Sequence, residues 1–435
     1  MALGGGTWTS QNKTLPGSYV NFVSIAKADA SLSDRGVVAM PLTLNWGETD
    51  KVITVDGEDF RNYAQNIFGY HSGAPELRDV SEIFLHATKL HFYRVIGSNA
   101  EKASNAYAEA LFPGTRGNDL KIVIQSNADE SEKYDVMTYL GSRLVDIQTV
   151  SKSEDLKANS FVSFKSEKLT SVPGAALTGG TNGDSPTVQD YQKALNAFEA
   201  YHFNVLGCPV TDDSIIKLFA AYTKRMRNEV GSKFQTVVYN YEKADTEGVI
   251  SVVTSAKEAA HGLVFWVSGA QAGCGVAESL TNRLYDGSYV VDASMTQVEL
   301  SKAIKAGKFA FHLVNDEVRV LEDINTFVSY SDEKNADFSS NQTIRVLDQI
   351  ANDTAATFST RYLGKVPNDA SGRISLWNEI CKIYQSLEAV RAIEGFAADD
   401  VTILPGETKK SVICTCKAVN VINAMSKLYV SVIVR

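Results

Sequence analysis

Residues Gly174-Ala-Ala-Leu-Thr-Gly-Gly-Thr-Asn-Gly-Asp184 separate two regions whose hydrophobic residues repeat with different periods. Before this stretch the apolar residues alternate, as in half-buried strands; after it they recur at helical spacing between short apolar runs. Glycine permits backbone turns that other residues resist. We therefore interpret the glycine-rich stretch as a domain boundary.

A phosphate-binding loop is the alternative for the same stretch. P-loops continue into Gly-Lys-Ser/Thr, a tripeptide absent from this chain, and Asp184 would repel a phosphate. A second glycine segment, Gly269-Ala-Gln-Ala-Gly-Cys-Gly275, follows the apolar run 263–267, which predicts a strand. Its spacing is GxxxGxG rather than the dinucleotide-binding GxGxxG. Neither segment predicts a cofactor.

Upstream of the boundary, residues 94–176 predict a small β-sandwich. Alternating apolar residues occur at 120–124, 134–138, 145–149 and 161–164, and several short strands of this kind are typical of sandwiches. Alanines and apolar residues at 100–111 recur at helical spacing instead, which predicts one helix ending before Pro113-Gly114.

The rest of the chain predicts a multidomain α/β protein. Residues 31–93 and 177–335 alternate helix and strand patterns, typical of a sheet covered by helices, and form the first part of the core and the central domain. Residues 336–435 form a C-terminal domain with helices at 344–358 and 374–393 and a terminal β unit. Residues 1–30, with Gly4 to Gly6, predict an N-terminal arm.

Composition excludes several classes of function. The 435 residues suffice for roughly three domains, and a formal net charge of −9 argues against general nucleic-acid binding. Five cysteines without a CxxC pair favour a reducing compartment over a disulfide framework. The N-terminus lacks a signal-peptide pattern, and the apolar run 262–267 is too short to cross a membrane.

Candidate catalytic and metal-binding residues are few. His86 and His91 are five residues apart, off the spacing of one helix face, and the pair at Cys414 and Cys416 is more typical of small apolar residues in a sheet. His261, Ser279 and Asp286 are candidates for a hydrolytic triad, without a GxSxG motif in support. We expect no catalytic, metal or cofactor site.

Two predicted strands have no evident partner in the chain. One lies in the N-terminal arm and comprises Ser18, Tyr19, Val20, Asn21 and Phe22; the other ends the chain and comprises Leu428, Tyr429, Val430, Ser431, Val432, Ile433 and Val434. Each pairs either within its own subunit or with another molecule.

A set of local motifs in order resembles one protein family. The motifs are Leu15-Pro-Gly-Ser-Tyr-Val-Asn-Phe22, Arg35-Gly-Val-Val-Ala-Met-Pro41, Trp46-Gly47, Phe92-Tyr-Arg-Val95, Gly114-Thr-Arg-Gly-Asn-Asp-Leu120, Leu177-Thr-Gly-Gly-Thr-Asn-Gly183, Glu278-Ser-Leu-Thr-Asn282, Tyr285-Asp-Gly287, Glu322-Asp-Ile-Asn-Thr-Phe327, Tyr362-Leu-Gly-Lys365 and Ala424-Met-Ser-Lys-Leu-Tyr429. Together they resemble the tail sheath proteins of contractile bacteriophages, prophage-derived particles and phage-tail-like bacteriocins, nearest those of Gram-positive hosts.

The resemblance implies a fold and an assembly. The fold is an inserted β-sandwich, a central subtilisin-like α/β domain without protease activity and a C-terminal α+β domain against a tail tube. Both terminal strands would complete sheets of neighbouring subunits. The implied partners are copies of the chain in hexameric rings stacked into a helical sheath, the tail tube protein, and baseplate and tail terminator proteins.

The resemblance also implies where and how the protein acts. The sheath would assemble in the host bacterial cytoplasm, become part of a virion tail or released tail-like particle, and contract to drive the tube through a target cell envelope. The alternatives are an α/β hydrolase- or protease-like enzyme with an appended β-sandwich, and an exported polymeric surface protein.

Overall fold

The computed structural model describes residues 32–417 and 419–434. The predicted arm strand at residues 18–22 lies outside the described residues. The strands are β1 (Val37–Leu42), β2 (Val52–Asp56), β3 (Lys89–Arg94), β4 (Ala108–Ala110), β5 (Leu120–Ser126), β6 (Tyr134–Leu140), β7 (Arg143–Val150), β8 (Val162–Phe164), β9 (Val172–Ala176), β10 (Val205–Gly207), β11 (Gln235–Tyr239), β12 (Val249–Val252), β13 (Lys308–Phe309), β14 (Phe311–Val314), β15 (Glu317–Val320), β16 (Ile393–Glu394), β17 (Val401–Pro405), β18 (Val412–Cys416) and β19 (Asn420–Val421). The α-helices are α1 (Gly57–Phe68), α2 (Arg78–Phe84), α3 (Val188–Phe198), α4 (Asp213–Arg225), α5 (Leu263–Gly273), α6 (Gln297–Lys305), α7 (Asn341–Thr357) and α8 (Ala370–Ala389).

A seven-stranded sheet forms the centre of the molecule, in the order β13-β12-β11-β10-β1-β3-β2. Its neighbours pair in parallel except β2, which is antiparallel to β3. Helices α1, α2 and α5 pack on one face with Val38 and Met40, whereas α3 and α4 pack on the other with Ala39. Burial on both faces explains why β1, Val-Val-Ala-Met-Pro-Leu, is continuously apolar.

Strand β1 continues through Pro41 to Leu42. Proline lacks the N–H that a ladder needs, so it is tolerated only where one side of a strand is unpaired. Strand β10 pairs with β1 only at Val38 and Ala39, and along Pro41 the pairing is with β3 alone. The strand therefore accommodates the proline without losing a hydrogen bond to β10.

The β-sandwich consists of a four-stranded sheet, β7-β6-β5-β9, and a β4-β8 pair. Leu120, Ile122 and Ile124 point into its core, as their alternation predicts. The helix predicted at residues 100–111 is wrong, because the described structure has only the short strand β4 there. Its alanines are buried for a different reason: Ala103 and Ala110 pack closely against Gly117. A Cβ atom added to Gly117 would lie 3.0 Å from the Cβ of Ala103 and 3.2 Å from that of Ala110.

The run 263–267 is the start of helix α5, not the predicted strand. Nearly every residue of α5 is buried, so no polar face marks the helical period. Gly269 and Gly273 let α5 pack against the chain at α2: added Cβ atoms would lie 2.4 Å from the Ile83 carbonyl oxygen and 2.2 Å from that of His86. These glycines provide close packing, not a dinucleotide loop.

The glycine-rich stretch 174–184 leads from β9 back toward the central sheet. It forms antiparallel bridges with the outgoing connection at Ser104–Thr178 and Glu101–Thr181, and Asp184 N donates to Ser98 O at 2.9 Å. The carboxylate of Asp184 accepts hydrogen bonds from Ser98 and Asn99. The two connections to the sandwich therefore form one hydrogen-bonded ribbon.

Helices α7 and α8 form the C-terminal region with the two-stranded β17–β18 and β16–β19 pairs. Helix α7 contacts the central region through buried ion pairs. Arg345 Nη2 lies 3.1 Å from Asp323 Oδ2, and Arg227 forms two bonds to Asp348 at 2.6 and 2.8 Å. These contacts join segments that are far apart in sequence.

Candidate assembly interface

His261, Ser279 and Asp286, the three residues considered for a hydrolytic triad, form no hydrogen bonds with one another. Asp286 accepts hydrogen bonds from Trp266 Nε1 at 2.7 Å and pairs with His86 Nε2 at 3.0 Å. Burial alone would raise the pKa of Asp286, but these two partners lower it. Ser279 Oγ donates to Thr281 Oγ1 at 3.1 Å, and burial lowers the pKa of His261. The geometry provides no activated serine nucleophile here.

His86 and His91 have separate surroundings. His86 contacts Asp286 and Arg283, whereas His91 Nδ1 lies 2.8 Å from Thr54 Oγ1. Within residues 32–417 and 419–434, no group of three or more His, Cys, Asp or Glu side chains has the geometry of a metal site.

The C-terminal segment, residues 425–434, extends away from the domain. The last hydrogen bonds that anchor the chain are Ile422 N to Ala392 O at 3.0 Å and Ala424 N to Gln342 Oε1 at 2.9 Å. Beyond them the segment has no strand assignment and forms no hydrogen bond with the described part of the chain. Leu428 is 87% exposed and Ile433 is 90% exposed. A row of apolar side chains this exposed is typical of an interaction site.

The hairpin β17–β18 has outer edges without a partner strand among the described residues. Its register runs from Val401 opposite Cys416 to Pro405 opposite Val412, and it belongs to a sheet of two strands. Unpaired edges offer N–H and C=O groups that accept a further strand. The hairpin therefore has the backbone chemistry of a strand-binding site.

An apolar groove runs between this hairpin and helix α8. It has a volume of about 400 Å³ and is lined by Ala370, Arg373, Ile374, Trp377 and residues 401–404. Trp377 Nε1 donates to Val401 O at 2.8 Å and fixes the helix against the strand. Ile374 and Leu404 are 61% and 60% exposed, so the groove presents apolar surface beside an open strand edge.

Four family models of tail sheath proteins match consecutive parts of the chain. They are the tail sheath protein Gp18 domain III N-terminal region at residues 35–95, the phage tail sheath protein beta-sandwich domain at 98–182, the phage tail sheath protein central domain at 184–326 and the phage tail sheath C-terminal domain at 333–435. This chain belongs to the phage tail sheath protein family. It is a structural subunit of a contractile tail sheath, and the enzyme alternative is not supported.

Similar proteins agree with this family assignment. The uncharacterized protein YqbK of Bacillus subtilis (strain 168) is 35% identical over 389 residues, covering 81% of each chain. The phage-like element PBSX protein XkdK of the same organism is 31% identical over 474 residues, covering 99% of each. The crystal structure of the sheath tail protein from Desulfitobacterium hafniense has a TM-score of 0.79 at 36% identity, covering 89% of this chain and 93% of that one.

A more distant sheath shares the fold. The helical sheath of the anti-feeding prophage in its contracted state has a TM-score of 0.56 at 10% identity, covering 97% of this chain and 98% of that one. The sheath fold is thus a multidomain mixed α/β fold with a β-sandwich domain. No helix in the described residues combines the length and apolar character needed to span a bilayer.

Sequence reasoning missed the groove and the free hairpin edges. It predicted a terminal β unit at 411–416 but no pairing partner for it and no contact with α8. The available signal was the apolar character of Ile403, Leu404 and Ile413 on both faces of a short hairpin. Strand patterns do not reveal which edge remains unpaired, because edges are set by tertiary packing.

Proposed function

We propose that subunits of this chain assemble into the sheath by exchanging strands. Leu428 to Val434 of one copy would add to an outer edge of the β17–β18 hairpin of a neighbouring copy, and Ser18 to Phe22 would supply a second exchanged strand. The observation that carries this proposal is the exposed, unpaired C-terminal segment in a domain that also has an open hairpin edge. The proposal excludes the alternative that residues 428–434 pair within their own subunit.

Strand addition suits the chemistry of both partners. Main-chain hydrogen bonds provide affinity, and alternate side chains set the register. Leu428, Val430, Val432 and Val434 lie on one face of an extended strand, and burying such a side chain stabilises by about 1.5–3 kcal/mol. Ordering a backbone residue costs about 1–2 kcal/mol. One buried face therefore roughly offsets the ordering of seven residues, and the edge hydrogen bonds and the groove add net stability.

The larger assembly follows from a head-to-tail contact. An interface of this type that does not close on itself generates a helical polymer. The proposal is hexameric rings stacked into a helix around a tail tube, bounded by baseplate and tail terminator proteins and assembled in the host bacterial cytoplasm. Support comes from the family and from the helical sheath and baseplate assemblies that share the fold.

The domain roles form part of the same proposal. Residues 1–30 would be the exchanged arm, 31–93 and 177–335 the subtilisin-like core, 94–176 the sandwich insertion and 336–435 the domain against the tube. During contraction, subunits would rotate as rigid bodies while exchanged strands keep neighbours attached. The buried ion pairs of α7 support rigid coupling between the central and C-terminal regions, because a buried charge that loses its partner is strongly destabilising.

The core domain would also lack hydrolytic activity. The separate partners of Ser279 and Asp286 support this proposal. A serine-directed fluorophosphonate probe should leave the folded chain unlabelled, and labelling at Ser279 would contradict it.

Deleting residues 425–435 tests strand exchange. Residues 425–434 form no hydrogen bonds with the rest of the described chain, so the truncated subunit should keep its circular dichroism spectrum and thermal midpoint. It should fail to form tubes or rings in negative-stain electron micrographs at concentrations where the full chain forms them. Tubes formed by the truncated chain would contradict the proposal without affecting the family assignment.

A direct binding assay tests whether the groove beside the β17–β18 hairpin binds the C-terminal segment. This assay does not require tube formation. A fluorescent peptide of residues 425–435 should bind the truncated subunit, and Leu404→Asp in the groove should weaken binding at least tenfold. Val298→Asp is the matched control, because Val298 is 64% exposed on α6, outside the groove. If the peptide bound the two variants with equal affinity, its binding site would lie outside the groove.

A further inference from the structure

Helix α7 carries a stripe of buried polar side chains that faces neither solvent nor an apolar core. An α-helix turns about 100° per residue, so positions 342, 349 and 353 lie within about 40° of one another around its axis. The three residues are Gln342, Gln349 and Asp353, and all three are buried. Buried polar groups need hydrogen-bond partners, and the partners of this stripe come from the two ends of the described chain.

The first residue of the stripe holds the root of the C-terminal segment, residues 422–424. Gln342 Nε2 donates to Ile422 O at 3.1 Å, and Gln342 Oε1 accepts from Ala424 N at 2.9 Å. One side-chain amide thus bonds a C=O and an N–H of the same extended backbone, much as a neighbouring strand does. Between them, Asn423 Nδ2 donates to Thr343 Oγ1 at 3.1 Å. The root is therefore fixed on α7 immediately before the part of the segment that has no hydrogen bonds.

The other two residues of the stripe hold the root of the N-terminal arm, residues 33–35. Ser33 Oγ donates to Asp353 Oδ1 at 2.6 Å. Gln349 Nε2 lies 2.8 Å from both Ser33 Oγ and Asp353 Oδ2, and 3.1 Å from Ser33 O. Arg35 donates to two backbone carbonyls near the C-terminal end of α5. The chain is therefore fixed to α7 where the predicted arm joins the domain.

A second face of α7 binds the central domain. Arg345 and Asp348 form ion pairs with it, and the side-chain amide of Asn352 bonds both the N–H and the C=O of Lys233, at 3.2 and 2.7 Å. These positions lie roughly 60–120° around the helix from Gln342. A displacement of either chain end would therefore act on a helix that the central domain itself holds.

We propose that α7 is the common anchor of both chain ends. Gln342 positions the C-terminal segment, and Gln349 with Asp353 positions the N-terminal arm, at exits about 16 Å apart along the helix axis. This role rests on the strand exchange proposed above. Fixed exits let a neighbouring copy bind each segment without first ordering its root, and a force on either exchanged strand passes through one helix to the central domain.

Hydrogen–deuterium exchange of isolated subunits, resolved to single amides by mass spectrometry, tests the two anchors separately. Gln342→Met removes the amide but keeps a similar length and helix propensity. Exchange at Ala424 should accelerate about five- to thirtyfold, as expected for the loss of one or two hydrogen bonds, while exchange at Ser33 stays unchanged. Gln349→Met should accelerate exchange at Ser33 and leave Ala424 unchanged. Each variant is the matched control for the other, because a general loosening of α7 would accelerate both.

Two further variants remove the same bonds from the side of the chain ends. Ser33→Ala and Asn423→Ala replace exposed residues, so they leave α7 intact if a methionine variant fails to fold. Each should accelerate exchange at its own root only. Equal acceleration at both roots, or none at the root that a variant should release, would overturn the anchor.

Tube formation tests the positioning role. Sedimentation should show that the double variant, Gln342→Met with Gln349→Met, needs a concentration at least about tenfold higher than the parent to form tubes, the effect of ordering one further backbone residue. Tubes at the parent's concentration with both roots released would overturn the positioning role. The exchange rates are measured on isolated subunits, so an anchor that fails there leaves strand exchange standing. Tubes formed by the chain that lacks residues 425–435 would contradict strand exchange and leave those rates unaffected.

Discussion

Arg345 is the most completely buried charged side chain of α7, with 1% of its side chain exposed, as for its partner Asp323. Its guanidinium donates to Glu278 O, Gln271 Oε1 and Asp323 Oδ2 at 2.7, 2.7 and 3.1 Å. Asp323 also accepts from Leu280 N and Asn341 Nδ2. The pair is therefore held in a network of hydrogen bonds, in which only Arg345 Nε has no partner among the described residues, and removing either member leaves a charge without its counterpart.

Replacing Arg345 with Met should destabilise the subunit by about 3–5 kcal/mol, because Asp323 would remain buried and unpaired. Urea denaturation followed by tryptophan fluorescence measures the free energy of unfolding. The control is Lys193→Met, which breaks an exposed pair with Asp190 and should change stability by at most about 1 kcal/mol. The double change Arg345→Met with Asp323→Leu should recover part of the loss; a loss like the control's would show that the network is not stabilising.

One buried and two partly buried histidines make stability depend on pH. Burial lowers the pKa of His86, His91 and His261 below the ordinary value of 6.5. Below pH 6.5 these histidines bind protons more readily in the unfolded chain than in the folded one. Stability is therefore lost as the pH falls from 6.5 toward the pKa values of the folded state. The free energy of unfolding should therefore decrease from about pH 7 to about pH 5.

The His91→Gln variant measures the contribution of one of these histidines to the pH dependence of stability. In the variant, the free energy of unfolding should fall less steeply with decreasing pH than in the parent. The difference in slope should reach up to about 1.4 kcal/mol per pH unit in the steepest part. Its stability relative to the parent at about pH 8, where an ordinary histidine is neutral, gives the pH-independent effect of the substitution. An unchanged slope would mean that His91 does not contribute to the pH dependence.

At the scale of elements, α5 shows how packing overrides a local pattern. Its first residues predict a strand, yet they form a helix whose glycines contact the backbone at Ile83 and His86. Glycine disfavours helix interiors by roughly 1 kcal/mol relative to alanine. Its presence at 269 and 273 is explained by the close approach of the chain at α2.

Gly273→Ala tests this explanation, because helix propensity predicts that the variant is more stable and packing predicts that it is less stable. An added Cβ would lie 2.2 Å from the His86 carbonyl oxygen, so we expect destabilisation by about 1–3 kcal/mol from overpacking. Gly275→Ala is the control, because its Cβ would meet only the flexible Glu278 side chain at 3.4 Å. Both thermal midpoints are measured by calorimetry, and a stabilised Gly273→Ala would contradict the packing argument.

At the scale of the whole molecule, net charge opposes the assembly that the proposed function requires. Each subunit carries a formal charge of −9, and like charges repel when copies approach. The groove and the exchanged segment are mainly apolar, so their interaction depends little on ionic strength. Salt should therefore weaken the repulsion more than the attraction.

The critical concentration for tube formation should fall as salt increases. Screening lengths shorten from about 30 Å at 0.01 M to about 8 Å at 0.15 M ionic strength. Sedimentation of the full-length chain across a concentration series at these two conditions measures the change. Potassium fluoride and potassium chloride should act alike if screening is the cause, and a critical concentration that rises with salt would indicate that ion pairs dominate the contact.

Features that depend on local periodicity can be predicted from the order of residues along the chain. Alternation at 120–124 and 134–138 predicts strands of the sandwich, and the apolar segment at 428–434 predicts a strand in need of a partner, which remains a prediction. The conformation of α5, the buried ion pairs and the groove depend on tertiary packing. Residues 263–267 are buried on every side, so their sequence carries no period by which to choose helix over strand. Arg227 and Asp348 form a pair across 121 positions, and the groove exists only where α8 meets β17. Such contacts are set by packing between distant segments, and no local pattern of residue types encodes them.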